Sequence, residues 1–337
     1  MTRGPAPLRL SAAPHLHGGN AVRRLGLHLV LALLPATLFA VVLFGLAALA
    51  TIGVAVLSCL LAERLCAPRA ALGDGSAFLT GLLLGLSLPP ALPLWMVAVG
   101  GFVAILVGKH LFGGLGGPAF HPVLVGRVFL QAAFPLAMAQ AWVAPFASGR
   151  ATALPGASLA LPFMTPEAGY DSISGATALT AMKAGEAAPP LAELWIGTIA
   201  GSVGETSAVL LLLGGIYLVA VRAIDWRIPV ALLGSVAAFS GALHAVDPLR
   251  YPDVLTVLGS GGLMLGAWFL ATDPASSPMT RSGAWLYGLA IGALVVVIRQ
   301  FSGQPEGVMY ALLLGSALTP HIDRWTRPRP LGWKGAG

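Results

Sequence analysis

Apolar runs of near membrane-crossing length alternate along this chain with short polar breaks or breaks rich in glycine and proline. The runs fall at roughly 25–47, 50–66, 76–89, 92–112 and 121–142, then at roughly 203–222, 228–245, 255–271, 283–300 and 306–320. A helix needs about 20 apolar residues to cross the hydrocarbon. The pattern therefore predicts an all-α polytopic membrane protein of about ten transmembrane helices. The third and tenth runs are short and meet breakers, Pro89-Pro90 and Gly303-Gln304-Pro305. Short, interrupted helices mark sites built from half-helices near the membrane midplane. The expected divisions are an N-terminal segment 1–24, a membrane unit 25–142, a loop 143–202, a second membrane unit 203–320 and a tail 321–337.

The two membrane units resemble each other. Leu79-Thr80-Gly81 through Pro89 parallels Gly262-Leu263-Met264 through Pro274. In each unit a glycine-containing helix follows, ending in Gly108-Lys109-His110 or Ile298-Arg299-Gln300, and then meets a break at 112–118 or 301–305. Five runs per unit is an odd number, so the second copy inserts upside down. The expected architecture is two inverted five-helix repeats, with sites at the repeat interface.

Composition agrees with a membrane solvent. Hydrophobic residues make up 57% of the chain, charged residues 9%, and mean hydropathy is +0.84. A soluble domain carries about a quarter charged residues. The net charge of +6 does not signal nucleic acid, because the basic residues gather at the ends and in short loops. With the N-terminus inside, inner segments hold 14 Lys and Arg and outer segments hold four, Arg150, Lys183, Arg250 and Arg299. Arg127 falls within a run and is left out of that count. The bias orients both termini to the cytoplasm and the 143–202 loop to the periplasmic face of a bacterial inner membrane. The first 24 residues lack a signal-cleavage pattern, so the first helix is expected to remain as an anchor. Cys59 and Cys66 share a helix face but are too few for an iron–sulfur cluster, and read as packing residues. His15 and His17 have no third ligand nearby.

The chemistry concentrates in the loop. Asp171-Ser172-Ile173-Ser174-Gly175-Ala176-Thr177 contains nothing that packs a core, and reads as an exposed segment presenting the Thr177 hydroxyl. The pattern resembles the acceptor site of proteins that carry FMN esterified through its phosphate to the final threonine. By that resemblance Thr177 is the attachment point, and Asp171, Ser174, Gly175 and Ala176 form its recognition context, with Thr180 as a fallback acceptor. Among 13 acids, Asp74, Glu205 and Asp273 lie within or beside apolar runs. Intramembrane carboxylates mark ion or proton paths by default, although span ends also use acids as caps. Lys109, His110 and Arg299 end helices, where a cation suits the negative end of the dipole. Trp95, Trp195, Trp226, Trp285 and Trp325 fall near the expected interfaces, as an aromatic belt does. No dinucleotide fingerprint, Walker loop, zinc spacing or nucleophile triad is present, so NADH oxidation would occur elsewhere.

Further stretches carry a wider resemblance. They include Pro14-His15-Leu16-His17-Gly18-Gly19-Asn20, Asp74-Gly75-Ser76-Ala77, Gly201-Ser202-Val203-Gly204-Glu205-Thr206-Ser207, Asp225-Trp226-Arg227-Ile228-Pro229, Ala271-Thr272-Asp273-Pro274 and Pro305-Glu306-Gly307-Val308-Met309. With the flavin loop, they resemble the RnfD proteins of the Rnf electron-transport complex. That family is similar to the NqrB proteins of the sodium-pumping NADH:quinone reductase. The resemblance implies electron carriage through covalent FMN, a dedicated FMN transferase, and the other Rnf proteins (the A, B, C, E and G components) as partners. It also implies coupling to Na⁺ or H⁺ movement and a second, non-covalent flavin such as riboflavin. One stretch departs from the family pattern. Where an Asn-Pro-Phe-Asn-Pro run is expected, this chain has Gly117-Pro118-Ala119-Phe120-His121-Pro122. His121 there either replaces one of those asparagines or reads as a satisfied interfacial histidine, the second being the favoured reading. Two rival readings remain: a solute channel or transporter on the same fold, and a structural component without a cofactor.

Overall fold

The computed structural model describes residues 21–66, 73–146, 156–160, 177–183, 188–204, 207–248, 250–302 and 306–327. Among them the chain is helical, without extended strands. Helix α1 (Ala21–Phe44) carries Pro35 internally and turns at Gly45, whose φ is +64°, into α2 (Leu46–Cys66). Then come α3 (Ser76–Ser87), α4 (Leu94–Leu106), a 3-10 turn His110–Phe112, α5 (Pro122–Ala133) and α6 (Pro135–Gln140). The connecting loop contains α7 (Ala178–Lys183) and α8 (Leu191–Ile196). The second half holds α9 (Ala208–Ala220), α10 (Arg227–Val246), α11 (Val254–Gly259), α12 (Leu263–Leu265) running into a π-helical turn Gly266–Leu270, α13 (Arg281–Phe301) and α14 (Val308–Trp325).

Five stretches are long and apolar enough to cross a membrane: Val22–Phe44, Leu46–Cys66, Leu94–Phe112, Arg227–Val246 and Arg281–Phe301. Their outward faces are apolar. On α1, Leu27, Leu31, Leu34, Leu38 and Val42 form an exposed stripe at helical spacing, while Leu33, Ala36, Ala40 and Leu43 are buried behind it. A helix with apolar residues on both faces is suited to protein on one side and lipid on the other.

Several expected continuous helices are broken. The run 121–142 divides at Phe134-Pro135 into α5 and α6, because proline lacks the N–H a helix interior needs. The run 255–271 divides at Ser260-Gly261-Gly262, where Gly261 adopts φ +60°. The run at 203–222 yields only α9, which starts late because Ser207 caps it, its hydroxyl accepting from the Leu210 N–H at 3.3 Å. The tenth run, expected to be short, extends to the 18 residues of α14.

Small residues set the packing. An added Cβ at Gly81 or Gly85 of α3 would lie 2.5 Å and 2.8 Å from Cα atoms of α2, so these backbones nearly touch. In the second half, Gly288 and Gly292 of α13 lie equally close to α10. Glycine seams of this kind bring membrane helices into contact where lipid offers no hydrophobic drive. Helix α2 packs along α3 and α4, α10 packs along α13 and α11, and α4 meets α5 as α13 meets α14. Contacts of α1 with α9 and of α5 with α14 join the halves.

Candidate functional site: two cavities at opposite ends of α3

At the start of α3, Gly75 takes φ +76°, and Asp74 folds back to accept hydrogen bonds from the Ser76 N–H at 2.8 Å and hydroxyl at 2.7 Å. The Ser76 hydroxyl also receives Lys109 Nζ at 2.7 Å. Lys109 in turn pairs with Glu63 Oε1 at 2.7 Å, and His110 Nε2 lies 3.1 Å from Glu63 Oε2. The Glu63 and Lys109 side chains are only 1% and 4% exposed, so this is a buried ion pair rather than a helix-end cation beside a dipole. His121 caps α5, its Nδ1 accepting from the Val123 N–H at 3.2 Å, in agreement with a satisfied histidine. Asp273, just past the π-helical turn, accepts from the Ser276 hydroxyl at 3.1 Å.

These pieces converge. Asp74, Lys109, His121 and Asp273 line one cavity of about 750 Å³, whose other walls include Leu25 and Leu29 of α1 and Leu79 and Leu83 of α3. The fold thus brings together two of the three candidate ion-path acids. Glu205 lies outside the described residues, as do Asp171, Ser174, Gly175 and Ala176.

Thr177 lies toward the other end of α3. The C-terminal carbonyls of Leu86 and Leu88 accept from Gly204 and Val203, and the neighbouring Ala200-Gly201 forms one wall of a second cavity. Twelve residues of α3, about 18 Å of helix, separate the two ends. Thr177 lines this cavity of about 410 Å³ with Leu194, Gly259, Ser260, Gly261 and Glu306. Its side chain is only 8% exposed, contrary to the expected exposed presentation. Thr177 precedes α7, its Oγ1 accepts from the Thr180 N–H at 3.3 Å, and the two hydroxyls lie 2.5 Å apart. Thr180, the fallback acceptor, is therefore tied to the same hydroxyl.

One wall of the Thr177 cavity is Gly259-Ser260-Gly261, where an added Cβ would strike Leu194 or Leu179 at 2.5 Å, so main chain and side chains pack closely there. Arg127 of α5, nearly buried, forms an ion pair with Glu306 at the cavity's edge. Along the sequence Arg127 stands apart from the loop charges, Glu306 belongs only to a resembling stretch, and Glu63 is not singled out. The signal for all three is nevertheless present, since each is a charge inside or at the end of an apolar run. Cys59 is buried as expected, with its thiol 3.6 Å from the Gly101 carbonyl, whereas Cys66 is exposed. Among the described residues no group of three or more metal-ligating side chains occurs.

Comparison with known proteins accounts for nearly the whole chain. It is similar to the D component of the ion-translocating oxidoreductase complex of Halorhodospira halophila, 39% identical over 343 residues spanning 96% of this chain and 95% of that one. It is 41% identical to the protein of the same description from Stutzerimonas stutzeri, over 94% of each chain. It is 38% identical to the D component of the proton-translocating ferredoxin:NAD(+) oxidoreductase complex of Clostridium ljungdahlii, over 96% of each. The profile of the NQR2, RnfD, RnfE family matches residues 9–332, and the chain belongs to that family.

Proposed function

We propose that this protein is the RnfD component of an Rnf-type ion-translocating oxidoreductase, carrying electrons through FMN esterified to Thr177. The observation that carries the reading is the coincidence of two features at one hydroxyl. Thr177 ends the Asp171–Thr177 acceptor pattern, and it lines a glycine-walled cavity. When bound, FMN supplies reversible electron uptake, while the protein supplies position and electrostatics. Family membership and the relatives' descriptions support placement in a redox complex, with the A, B, C, E and G components as partners. A dedicated FMN transferase belongs to the same proposal, because a threonine hydroxyl has no intrinsic reactivity toward a flavin nucleotide.

The architecture belongs to the proposal as well: ten membrane helices in two inverted repeats, with α1–α5 matched by α9, α10, the α11–α12 broken helix, α13 and α14. The parallel order of helix neighbours in the two halves supports it. The loop bearing Thr177 then faces the periplasm, and the Asp74–Asp273 cavity faces the cytoplasm. Asp74, Asp273 and Glu205 are the proposed ion-path carboxylates, the first two because they share a cavity. A second, non-covalent flavin such as riboflavin belongs to the same proposal, on the family resemblance alone.

The test is in-gel flavin fluorescence of the denatured chain beside Thr177→Ala, both co-expressed with an FMN transferase. A fluorescent band that disappears in the variant is expected. A dark parent band, with the transferase active on a known acceptor, would remove the covalent flavin and leave solute transport as the reading to pursue.

A further inference from the structure

We propose that an arginine–tryptophan ledge, where α10 and α13 begin side by side, seats the head group of an anionic phospholipid whose acyl chains lie along the outer faces of those two helices. The ledge is built from two distant stretches of the chain. Trp226 and Trp285 meet edge to face, with ring centroids 5.9 Å apart and planes at 90°. The Arg227 guanidinium lies over the Trp226 ring, 5.3 Å from its centroid. Arg281 stands one turn before Trp285 on the same face of α13. Arg222 follows the last residues of α9, in a left-handed conformation at φ +56°. Both tryptophans, Arg222 and Arg281 are exposed.

The ledge carries positive charge. Its acid, Asp225, is tied down: it accepts the Arg227 main-chain N–H at 3.0 Å and pairs with the Arg227 Nη1 at 3.2 Å. Three arginines thus stand against one carboxylate. Near the start of α13, Asp323 accepts the Met279 N–H at 3.1 Å, while Asp273 lines the cavity beside α3. The terminal stretches 1–20 and 328–337 hold Arg3, Arg9, Arg329 and Lys334 and no acid, so neither can neutralise the ledge. Glu167, Asp171, Glu186 and Glu205 all precede α9, whereas Arg222 follows its far end, 13 residues or about 20 Å of helix later.

What lies beside the arginines selects a lipid over an acidic protein. Val230 follows Trp226 by one helical turn and Leu289 follows Trp285 by one, and both are exposed, as is Leu286. They belong to Arg227–Val246 and Arg281–Phe301, two helices long and apolar enough to cross a membrane. The apolar stripe therefore suits hydrocarbon, and the tryptophan pair suits the boundary between chains and head groups. Basic residues at that level attract anionic head groups, and a guanidinium fork can take two phosphate oxygens at once. A zwitterionic lipid would bring an ammonium group to a ledge that is already positive. An anionic phospholipid matches both parts, and its seat is independent of any flavin at Thr177.

The experiment places the full chain in vesicles of equal parts phosphatidylglycerol and phosphatidylcholine, with bromine on the chains of one lipid or of the other. Bromine quenches a tryptophan that it touches, and Trp226→Phe with Trp285→Phe is subtracted to isolate the ledge. Brominated phosphatidylglycerol is expected to occupy the ledge about fivefold more than brominated phosphatidylcholine, the preference that one basic residue near the surface supplies. Arg222→Gln with Arg281→Gln alters exposed side chains and should bring the ratio close to one. Arg64→Gln, at the end of α2, should leave it unchanged. Equal quenching by the two lipids in the parent chain would overturn the seat and leave the ledge to an acidic partner protein. A preference that survives the double variant, or falls as far in Arg64→Gln, would also overturn it, because the selectivity would then come from the general charge of the protein.

Discussion

Lys109 and Arg299 occupy corresponding places in the two halves, each at the C-terminal end of a long apolar helix, and each is almost fully buried. They satisfy their charge differently. Lys109 meets a carboxylate, Glu63, which is itself 1% exposed. Arg299 instead donates to main-chain oxygens that close α11. The first arrangement is a buried ion pair whose members depend on each other. The second places a full positive charge against a helix end carrying about half a negative one. One end thus sets charge against charge and the other sets a guanidinium against main-chain carbonyls, while the glycine seams nearby are alike in both halves.

The largest expected effect comes from splitting the balanced pair. Lys109→Ala leaves a buried carboxylate without its cation and should cost about 3–5 kcal/mol. Lys109→Met combined with Glu63→Gln should recover most of that loss, because it removes both charges. Apparent melting temperatures in detergent would check this, and a double variant no better than the single would break the comparison. Arg299→Met should cost less, about 1–3 kcal/mol, through main-chain carbonyls left without a donor. A loss as large as that of Lys109→Ala would mean that the two ends are equivalent after all.

Smaller effects sharpen the likeness of the seams. Gly81→Ala and Gly288→Ala should each cost about 1–3 kcal/mol by overpacking. Their added methyls meet atoms at 2.5 Å and 2.6 Å respectively, which must shift. Gly53→Ala and Gly234→Ala, where nothing lies within 4 Å, should be neutral or gain up to about 1 kcal/mol of helix propensity. If Gly288→Ala behaved like Gly234→Ala in the same melting assay, the second seam would be looser than the first.

Much of the fold could be read along the chain. The apolar runs anticipated the long helices, and Gly108-Lys109-His110 and Ile298-Arg299-Gln300 marked where two of them end. The breaks inside 121–142 and 255–271 were also written there, in Pro135 and in Gly261-Gly262, but hydropathy averaged over a window passes across one proline or two glycines. The short helices α7 and α8 were not legible. Six residues each, they fall in a segment whose local pattern is too brief to show periodicity.

The site divided in the same way. Thr177 could be singled out because it ends a contiguous pattern of seven residues. Its burial was not legible, because Gly259 and Glu306, which line the cavity with it, come from distant parts of the chain. Asp74 and Asp273 could each be singled out, since a charge beside an apolar run is costly wherever it occurs, but their shared cavity could not. Glu63 shows the limit most clearly. Forty-six residues separate it from Lys109, and only the packing of α2 against α4 makes them a pair.

The sequence by itself determined that the chain is a bundle of apolar helices and to which family it belongs. Those properties are local or compositional, set by hydrophobicity, by breakers and by contiguous motifs. Tertiary structure alone decided that Lys109 meets Glu63, that Asp74 and Asp273 line one cavity, and that Thr177 is buried. Electrostatic environment depends on distance in space. Helices crossing at glycine contacts bring together residues whose separation along the chain carries no record of that meeting.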